Sequence, residues 1–197
     1  MSLLDIHVLG SPVLRKETVP VTQFDEALQT LINDMFDTMY AAEGIGLAAP
    51  QVGRLERVAV LDVGDQPLVI VNPEIVNAEG TAKGEEGCLS IPEIYGDVER
   101  PARVIVNALD RAGKPFALEA SELLARCVQH EIDHLHGKLF IDYLSVLKRR
   151  AAMCFRCWQT RTSRFGASRS SSPAITSWAS SPRTTTGAAG RIRSTSR

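Results

Sequence analysis

The chain has 197 residues, of which 44% are hydrophobic and 23% are charged, and its formal net charge is −1. This composition predicts one domain with a substantial core, and no apolar run approaches the length of a membrane-spanning helix. The N-terminus lacks the basic-then-apolar form of a signal peptide, and four cysteines without such a signal argue against a disulfide framework, so we expect a cytoplasmic protein.

The first predicted element is an amphipathic helix over residues 25–42, which Gly44 is expected to end. Its apolar stripe consists of Leu28, Leu31, Ile32, Met35 and Met39. Apolar runs then predict strands at residues 58–63, 68–71, 104–106 and 116–118. Asn72 and Pro73 are expected to terminate the second strand, and a turn around residues 110–113 is expected to join the last two.

A second predicted helix, with Ser121 as its N-cap and Gly137 as its C-terminal stop, carries the pentapeptide HEIDH. His130 and His134 are four residues apart, so their imidazoles share one helix face and can reach one metal ion. Glu131 between them can reach a metal-bound water and act as its base.

The sequence after His134 offers no suitable third metal ligand. Glu131 is the last glutamate of the chain, and Phe140 stands where one class of zinc protease would require a third histidine. We therefore expect the third ligand upstream, and Cys88 is the natural candidate because a thiolate binds metals when deprotonated. Two imidazoles and one thiolate leave a fourth tetrahedral position for water, which is the layout of a catalytic site.

A further segment, GIGLAAPQ (44–51), is rich in small residues, as expected where the backbone lies close to a ligand or another element. Gln51 at its end supplies an amide that could donate to a developing oxyanion. The alternative for Gln51 is a structural amide that bonds to the backbone. The alternative for Cys88 is a small buried hydrophobe, which is the usual state of a free cysteine.

Together, GIGLAAPQ (44–51), EGCLS (86–90) and HEIDH (130–134) resemble the three signatures of the bacterial peptide deformylases, in the same order. The resemblance extends over residues 3–150. It implies an α+β fold in which antiparallel or mixed β-sheets pack around a central metal-binding helix. It also implies an enzyme that removes the N-formyl group from the initiator methionine of nascent polypeptides and releases formate.

The resemblance also implies roles for individual residues. The implied metal ligands are Cys88, His130 and His134, and the implied catalytic residues are Glu131 as general base and acid, Gln51, and Leu89 through its backbone N–H. The implied native metal is Fe(II), for which Zn(II), Ni(II) or Co(II) can substitute. The implied substrate-binding residues are Gly44, Ile45, Gly46, Glu86, Gly87, Leu123, Arg126 and Cys127. Arg100 is expected to be a buried ion-pair partner near the site.

The implied partners are nascent formyl-methionyl polypeptides and the ribosome, on which some family members dock a charged C-terminal helix; neither DNA nor a membrane is expected. Two other functions stay open. One is another HExxH hydrolase such as a zinc peptidase, against which the missing downstream ligand and the EGCLS segment argue. The other is a non-catalytic ribosome-associated binding protein, against which the intact Glu131, Gln51 and ligand set argue.

Residues 1–150 are expected to form the catalytic domain and residues 151–197 a tail of different composition. The domain holds all 23 acidic residues and 14 of the 22 Lys and Arg, a formal charge of −9. The tail has no Asp, Glu or Lys but carries 8 Arg, 10 Ser and 7 Thr, which favours disorder. One hypothesis for the tail is a frameshifted reading of GC-rich DNA, and the other is a basic arm that contacts ribosomal RNA phosphates.

Overall fold

The computed structural model describes residues 2–64, residues 66–150 and the backbone of residues 191–194. The strands are β1 (Gly46–Ala48), β2 (Val58–Asp62), β3 (Pro67–Glu79), β4 (Ala82–Cys88), β5 (Ile91–Arg100), β6 (Arg103–Leu109), β7 (Pro115–Ser121) and β8 (Arg191–Ser194). The long helices are α1 (Glu26–Ala41) and α2 (Glu122–Leu135), residues 146–150 are helical as well, and short 3₁₀ turns lie at Pro12–Arg15, Ala49–Val52 and Phe140–Tyr143.

The strands form two antiparallel sheets. A six-stranded sheet has the order β1-β2-β3-β6-β7-β8, and β4 pairs with β5 in a separate hairpin. The four predicted strands all lie within this larger sheet, and β6 pairs with β7 as predicted, with Val104 opposite Ala120. The predicted α+β class is therefore confirmed.

One strand boundary was predicted wrongly, because β3 does not end at Asn72 and Pro73 but continues to Glu79. The register of its pairing with β6 shifts at these residues, so they form a bulge within the strand. Asn72 adopts a left-handed backbone with φ 49°, which asparagine tolerates better than most residues. Its side chain also makes two 2.8 Å hydrogen bonds to the backbone of Val21, which stabilise the bulge.

The first predicted helix is confirmed as α1. Its N-cap Asp25 accepts a 3.0 Å hydrogen bond from the backbone N–H of Leu28, and its predicted apolar stripe is buried in full. The end of the helix differs from the prediction, because the residue in the left-handed conformation is Glu43, with φ 55°, rather than Gly44. The N–H of Gly44 then donates to the carbonyl of Met39 at 2.9 Å, which closes the last turn.

The second helix, α2, begins and ends where predicted. Ser121 holds the N-cap position through its backbone, although its hydroxyl makes no capping hydrogen bond. After Leu135 the chain turns at Gly137, which has a φ of 68°. A Cβ at Gly137 would lie 2.7 Å from the carbonyl oxygen of Arg15. Glycine is therefore required there both by the backbone conformation and by the contact with the N-terminal segment.

The six-stranded sheet lies between the two helices. Side chains alternate across β2, so that Ala59 and Leu61 join the core cluster around α2, whereas Val58 and Val60 join the cluster around α1. The apolar face of α2 is buried against the sheet through Ala125, Cys127, Val128, Ile132 and Leu135. The histidines of HEIDH are buried as well, which makes α2 the central helix of the fold.

The β4–β5 hairpin was not predicted. It packs against the turn Phe140–Tyr143 through a third core cluster, in which Ile91 and Val98 of the hairpin contact Phe140 and Leu144. This packing fixes the end of the hairpin, and therefore Cys88, relative to α2.

The expected disorder of residues 151–197 falls almost wholly outside the described residues. Within this segment the backbone of β8 is described, and it extends the large sheet by pairing with β7, with Ser194 opposite Phe116. Among the helices that the structure describes, none is long and apolar enough to cross a membrane.

Candidate metal centre and active-site cleft

His130 and His134 lie on consecutive turns of α2, on the same side of the helix, as their spacing predicts. Their ring centroids are 5.0 Å apart and both side chains are almost fully buried. Burial lowers the pKa of His134 well below its ordinary value. The imidazole is therefore kept neutral, which is the form that binds a metal ion.

Cys88, the last residue of β4, brings a thiol to the two histidines. Its Sγ lies 3.2 Å from Nε2 of His134, and the ligand atoms of Cys88, His130 and His134 all lie within 4.8 Å of one another. Metal–sulfur bonds of about 2.3 Å and metal–nitrogen bonds of about 2.0 Å place tetrahedral donor atoms about 3.5 Å apart. The spacing and the chemistry of these donors fit one divalent transition-metal ion.

Glu86 lies behind His130 and is fully buried. Its Oε2 accepts a 3.0 Å hydrogen bond from Nδ1 of His130, which leaves Nε2 available to a metal. Burial opposes ionisation of Glu86, but hydrogen bonds from His130 and Arg100 outweigh it and lower the pKa of Glu86 to about 2. The carboxylate is therefore ionised across the physiological range and can orient the imidazole.

A cluster of buried charges surrounds Glu86. Arg100 donates to both oxygens of Glu86 at 2.6 and 3.0 Å and to Asp133 at 2.8 Å, as its expected ion-pair role requires. Arg126 donates to Glu86 at 2.7 Å, and the hydroxyl of Tyr143 donates to Asp133 at 2.9 Å. Two guanidinium groups thus face two carboxylates, so the formal charges of these four side chains balance.

Glu131 is 3% exposed, and among the described residues its Oε2 has no hydrogen-bond partner. Burial raises the pKa of Glu131 to about 7. A carboxyl group with a pKa near neutrality can both accept and donate a proton, which suits a general base and acid. Gly46 on β1 makes room for it, because a Cβ at this position would collide with Oε1 of Glu131 and lie 2.9 Å from Sγ of Cys127.

Gln51 lies in the turn Ala49–Val52 and is 1% exposed. Its Oε1 accepts a 2.8 Å hydrogen bond from the backbone N–H of Ala48. This bond directs Nε2 towards the site, where it lies 3.3 Å from Oγ of Ser90 and 3.6 Å from Sγ of Cys88. The structural alternative for Gln51 therefore holds for its oxygen, while its nitrogen is left to donate beside Cys88.

A cleft opens in front of the histidines, and four of the predicted substrate-binding residues line it: Gly44, Ile45, Gly46 and Gly87. Gln51 and Leu89 line it too, and a Cβ at Gly44 would lie 2.8 Å from Cδ1 of Leu89. Residues 91–95 form another part of the lining and were not predicted. They belong to a strand that gave no clear pattern, so nothing in the sequence alone directed attention to them.

The other four predicted substrate-binding residues do not line the cleft. Glu86 and Arg126 lie in the charge cluster behind His130. Cys127 is fully buried under β1, with its Sγ 3.5 Å from the carbonyl oxygen of Ile45. Leu123, on the first turn of α2, is 38% exposed. Arg126 and Cys127 lie one turn before His130, where the hairpin and β1 cover the helix, so neither side chain reaches the cleft.

Comparison with known proteins identifies the family. The family model described as polypeptide deformylase matches residues 3–150. The chain belongs to the polypeptide deformylase family. The peptide deformylase of Alkalilimnicola ehrlichii is 56% identical over 154 residues, which are 76% of this chain and 86% of that protein. Peptide deformylase 2 of Vibrio cholerae is 53% identical over 157 residues, which are 78% of this chain and 93% of that protein.

Solved deformylase structures share the fold. A peptide deformylase from Legionella pneumophila has a TM-score of 0.80 and 51% identity, covering 84% of this chain and 100% of that one. A peptide deformylase from Synechococcus elongatus, solved in complex with actinonin, has a TM-score of 0.75 and 45% identity, covering 78% of this chain and 88% of that one. The predicted family, fold and enzyme class are confirmed, and the family removes N-formyl groups from nascent peptides.

Proposed function

We propose that this chain removes the N-formyl group from the formyl-methionine at the start of newly synthesised polypeptides, with a divalent metal bound by Cys88, His130 and His134. The observation that carries the proposal is the convergence of the three donor atoms within 4.8 Å of one another, next to the buried Glu131. Family membership supports the substrate class.

The metal is proposed to be Fe(II) natively, with Zn(II), Ni(II) or Co(II) as substitutes. One thiolate and two imidazoles are donors that such transition metals accept. A divalent ion held by these residues would supply a Lewis acid and lower the pKa of a water molecule towards neutrality. Glu86 keeps Nδ1 of His130 engaged at 3.0 Å, so that the imidazole presents Nε2 to the ion.

Glu131 is proposed to move the proton. It accepts one from the attacking water and hands it to the amine as the carbon–nitrogen bond of the formamide breaks, leaving formate and a free N-terminus. Its raised pKa of about 7 suits both transfers. Its buried position, with Oε2 unpartnered among the described residues, leaves the carboxylate able to face the reacting groups.

Gln51 and the backbone N–H of Leu89 are proposed to stabilise the oxyanion that forms as water adds to the formyl carbon. The contacts of Gln51 Nε2, at 3.3 and 3.6 Å, are long, so its N–H groups can exchange them for a better acceptor at little cost while Oε1 keeps its bond from Ala48. Leu89 follows Cys88 directly and lines the cleft beside Gln51. Donors fixed before the charge develops need little reorganisation during the reaction.

The methionine side chain is proposed to lie against the apolar part of the cleft. Ile45, Ile91 and Ile94 line it with Leu89. The lining also includes Gly44, Gly46 and Gly87, which have no side chains, so that a peptide backbone can approach them closely.

Residues 1–150 are proposed to be the catalytic domain, which acts in the cytoplasm, and residues 151–197 a tail outside it. Residues 146–150, which precede this tail, are helical. A contact with the ribosome is proposed to be transient.

The test is formate release from a formyl-Met-Ala-Ser peptide by Fe(II)-loaded protein kept under nitrogen, with acetyl-Met-Ala-Ser as the matched control substrate. We expect formate from the first peptide and no reaction with the second. Cleavage of an internal peptide bond without formate would instead identify a peptidase. The absence of any reaction from folded, metal-loaded protein would overturn the proposal.

A further inference from the structure

Arg126 makes four hydrogen bonds to the hairpin that carries Cys88 and Glu86, and it does not line the cleft. It lies on α2, one turn before His130, and its side chain is 11% exposed. Its Nη1 donates to Oε1 of Glu86 at 2.7 Å, and the same carboxylate holds Nδ1 of His130 through Oε2. Two residues spaced i and i+4 on one helix thus meet on a single carboxylate from another element.

The same guanidinium also binds the backbone of the hairpin. Nη2 donates to the carbonyl of Ala82 at 2.9 Å, and Nη1 lies 3.0 Å from the carbonyl of Val98 and 3.4 Å from that of Gly84. These acceptors come from both strands, β4 and β5. The guanidinium also packs against Gly84, where a Cβ would lie 3.1 Å from both Cζ and Nη2 of Arg126.

The metal centre is assembled from the same two elements. Cys88 ends β4, whereas His130 and His134 lie on α2. Any shift of the hairpin along the helix would change the distance from Cys88 to the histidines and the angle at which Glu86 holds His130. A planar guanidinium with several donors in fixed directions is suited to prevent such a shift.

We propose that Arg126 is a positioning residue that locks the β4–β5 hairpin to α2 and, through Glu86, sets the orientation of His130 for a metal ion. The inference rests on the metal site of the proposed function. It assigns Arg126 no contact with substrate. Arg100 bonds to Glu86 from within the hairpin and to Asp133 on α2, so both arginines join the hairpin to the helix.

The test measures Co(II) binding by the full chain, by competition with a chelator and by the visible absorption spectrum of the cobalt protein. Arg126→Met keeps an unbranched stem as far as the position of Nε and removes the guanidinium donors. We expect the dissociation constant for Co(II) to rise about 10- to 100-fold, as is typical when a group that orients a ligand is lost. We also expect the cobalt absorption bands to change, because the ligand geometry relaxes.

Arg57→Met is the matched control. Arg57 is also largely buried and donates to the carbonyl of Thr18 at 2.8 Å, but it has no bond to the metal centre among the described residues. Its loss should lower the melting temperature while leaving the dissociation constant and the spectrum unchanged. Arg126→Lys is a second variant that keeps the positive charge but not the planar set of guanidinium donors, and it should give an intermediate dissociation constant.

The inference would be overturned if Arg126→Met had the same Co(II) dissociation constant and absorption spectrum as the parent. If Arg126→Met does not fold, the same result in Arg126→Lys would overturn it. Equal losses of Co(II) affinity in the Arg126 and Arg57 variants would overturn it as well, since general destabilisation would then explain both. If the parent binds Co(II) but releases no formate with any metal, the proposed function fails while the inference about Arg126 is still decided by these constants.

Discussion

At the level of single residues, two buried polar groups of the candidate site have incomplete hydrogen bonding. Oε2 of Glu131 has no partner among the described residues, and Nε2 of Gln51 makes only long contacts. Such groups lower stability, because a buried donor or acceptor without a good partner keeps its desolvation penalty. A reacting substrate can supply the missing partners, which is why these positions point to catalysis.

Replacing Gln51 with glutamate tests the oxyanion assignment. Gln51→Glu keeps an oxygen to accept the N–H of Ala48 but replaces the donor that faces Cys88. We expect kcat for formate release to fall about 100-fold or more, with a smaller change in KM. Ser90→Ala is the control, since it removes only a 3.3 Å contact of the same amide. A kcat within threefold of the parent in Gln51→Glu would contradict the assignment.

Glu131→Gln should reveal the cost of burying the general base. The pKa of Glu131 is raised to about 7 from 4.5. The free energy of unfolding therefore falls as pH rises through this interval, because the folded state holds its proton more tightly than the unfolded state does. In metal-free protein we expect the variant to gain stability relative to the parent by roughly 3 kcal/mol between pH 4.5 and pH 8. Urea unfolding at several pH values measures this difference. A difference that does not change with pH would contradict the raised pKa.

At the level of elements, the site depends on how closely β1 approaches α2. Gly46 is the contact point, because any side chain there would collide with Glu131 and Cys127. The site also depends on the hairpin, which delivers Cys88 and Glu86 to opposite sides of His130. Neither contact is local in sequence, since about 40 to 85 residues separate the partners.

Gly46→Ala should damage catalysis more than folding. The added methyl group would displace the carboxylate of Glu131, and we expect kcat/KM to fall at least 100-fold, since misplaced catalytic groups lose much of their effect. Gly96→Ala is the matched control, because its Cβ would lie 2.8 Å from Leu144 in the core, away from Glu131. It should lower the melting temperature more than it lowers kcat. Comparable kcat losses in the two variants would contradict this account of Gly46.

The elements that could be predicted from the sequence are those with a strong local pattern. Each of these patterns reflects the repeat of a single helix or strand: the apolar stripe of α1, the apolar runs in β2 and β6, and the spacing of His130 and His134. The hairpin could not be predicted, because β4 is rich in glutamate and glycine and its partners are distant. For the same reason Glu86 was expected at the substrate pocket: its position behind His130 follows from the pairing of β4 with β5.

At the level of the whole molecule, a bound metal would join two parts of the fold. Cys88 comes from the hairpin, and the histidines come from the helix at the centre of the core. Binding to the folded state alone stabilises a protein by about 4 kcal/mol when the free ligand exceeds its dissociation constant 1,000-fold. Metal binding should therefore hold the hairpin against α2 and raise the stability of the entire chain.

Removing the metal should lower the melting temperature. We expect the metal-free protein to unfold about 10 °C below the protein saturated with Ni(II), from the stabilisation above and the size of the domain. Cys88→Ser should lose most of this difference, because a hydroxyl is a much weaker ligand than a thiolate for such metals. Differential scanning calorimetry measures both. Equal stabilisation of the parent and Cys88→Ser by Ni(II) would mean that the ion binds elsewhere.

The most direct test of the central claim compares formate release and metal content in the parent and in Glu131→Gln. Both proteins are loaded with Fe(II) under nitrogen and given the formyl-Met-Ala-Ser peptide. The account predicts about one metal ion per chain in each, rapid formate release by the parent, and a loss of at least 100-fold in kcat in the variant. Formate release at the parental rate by metal-loaded Glu131→Gln would contradict it.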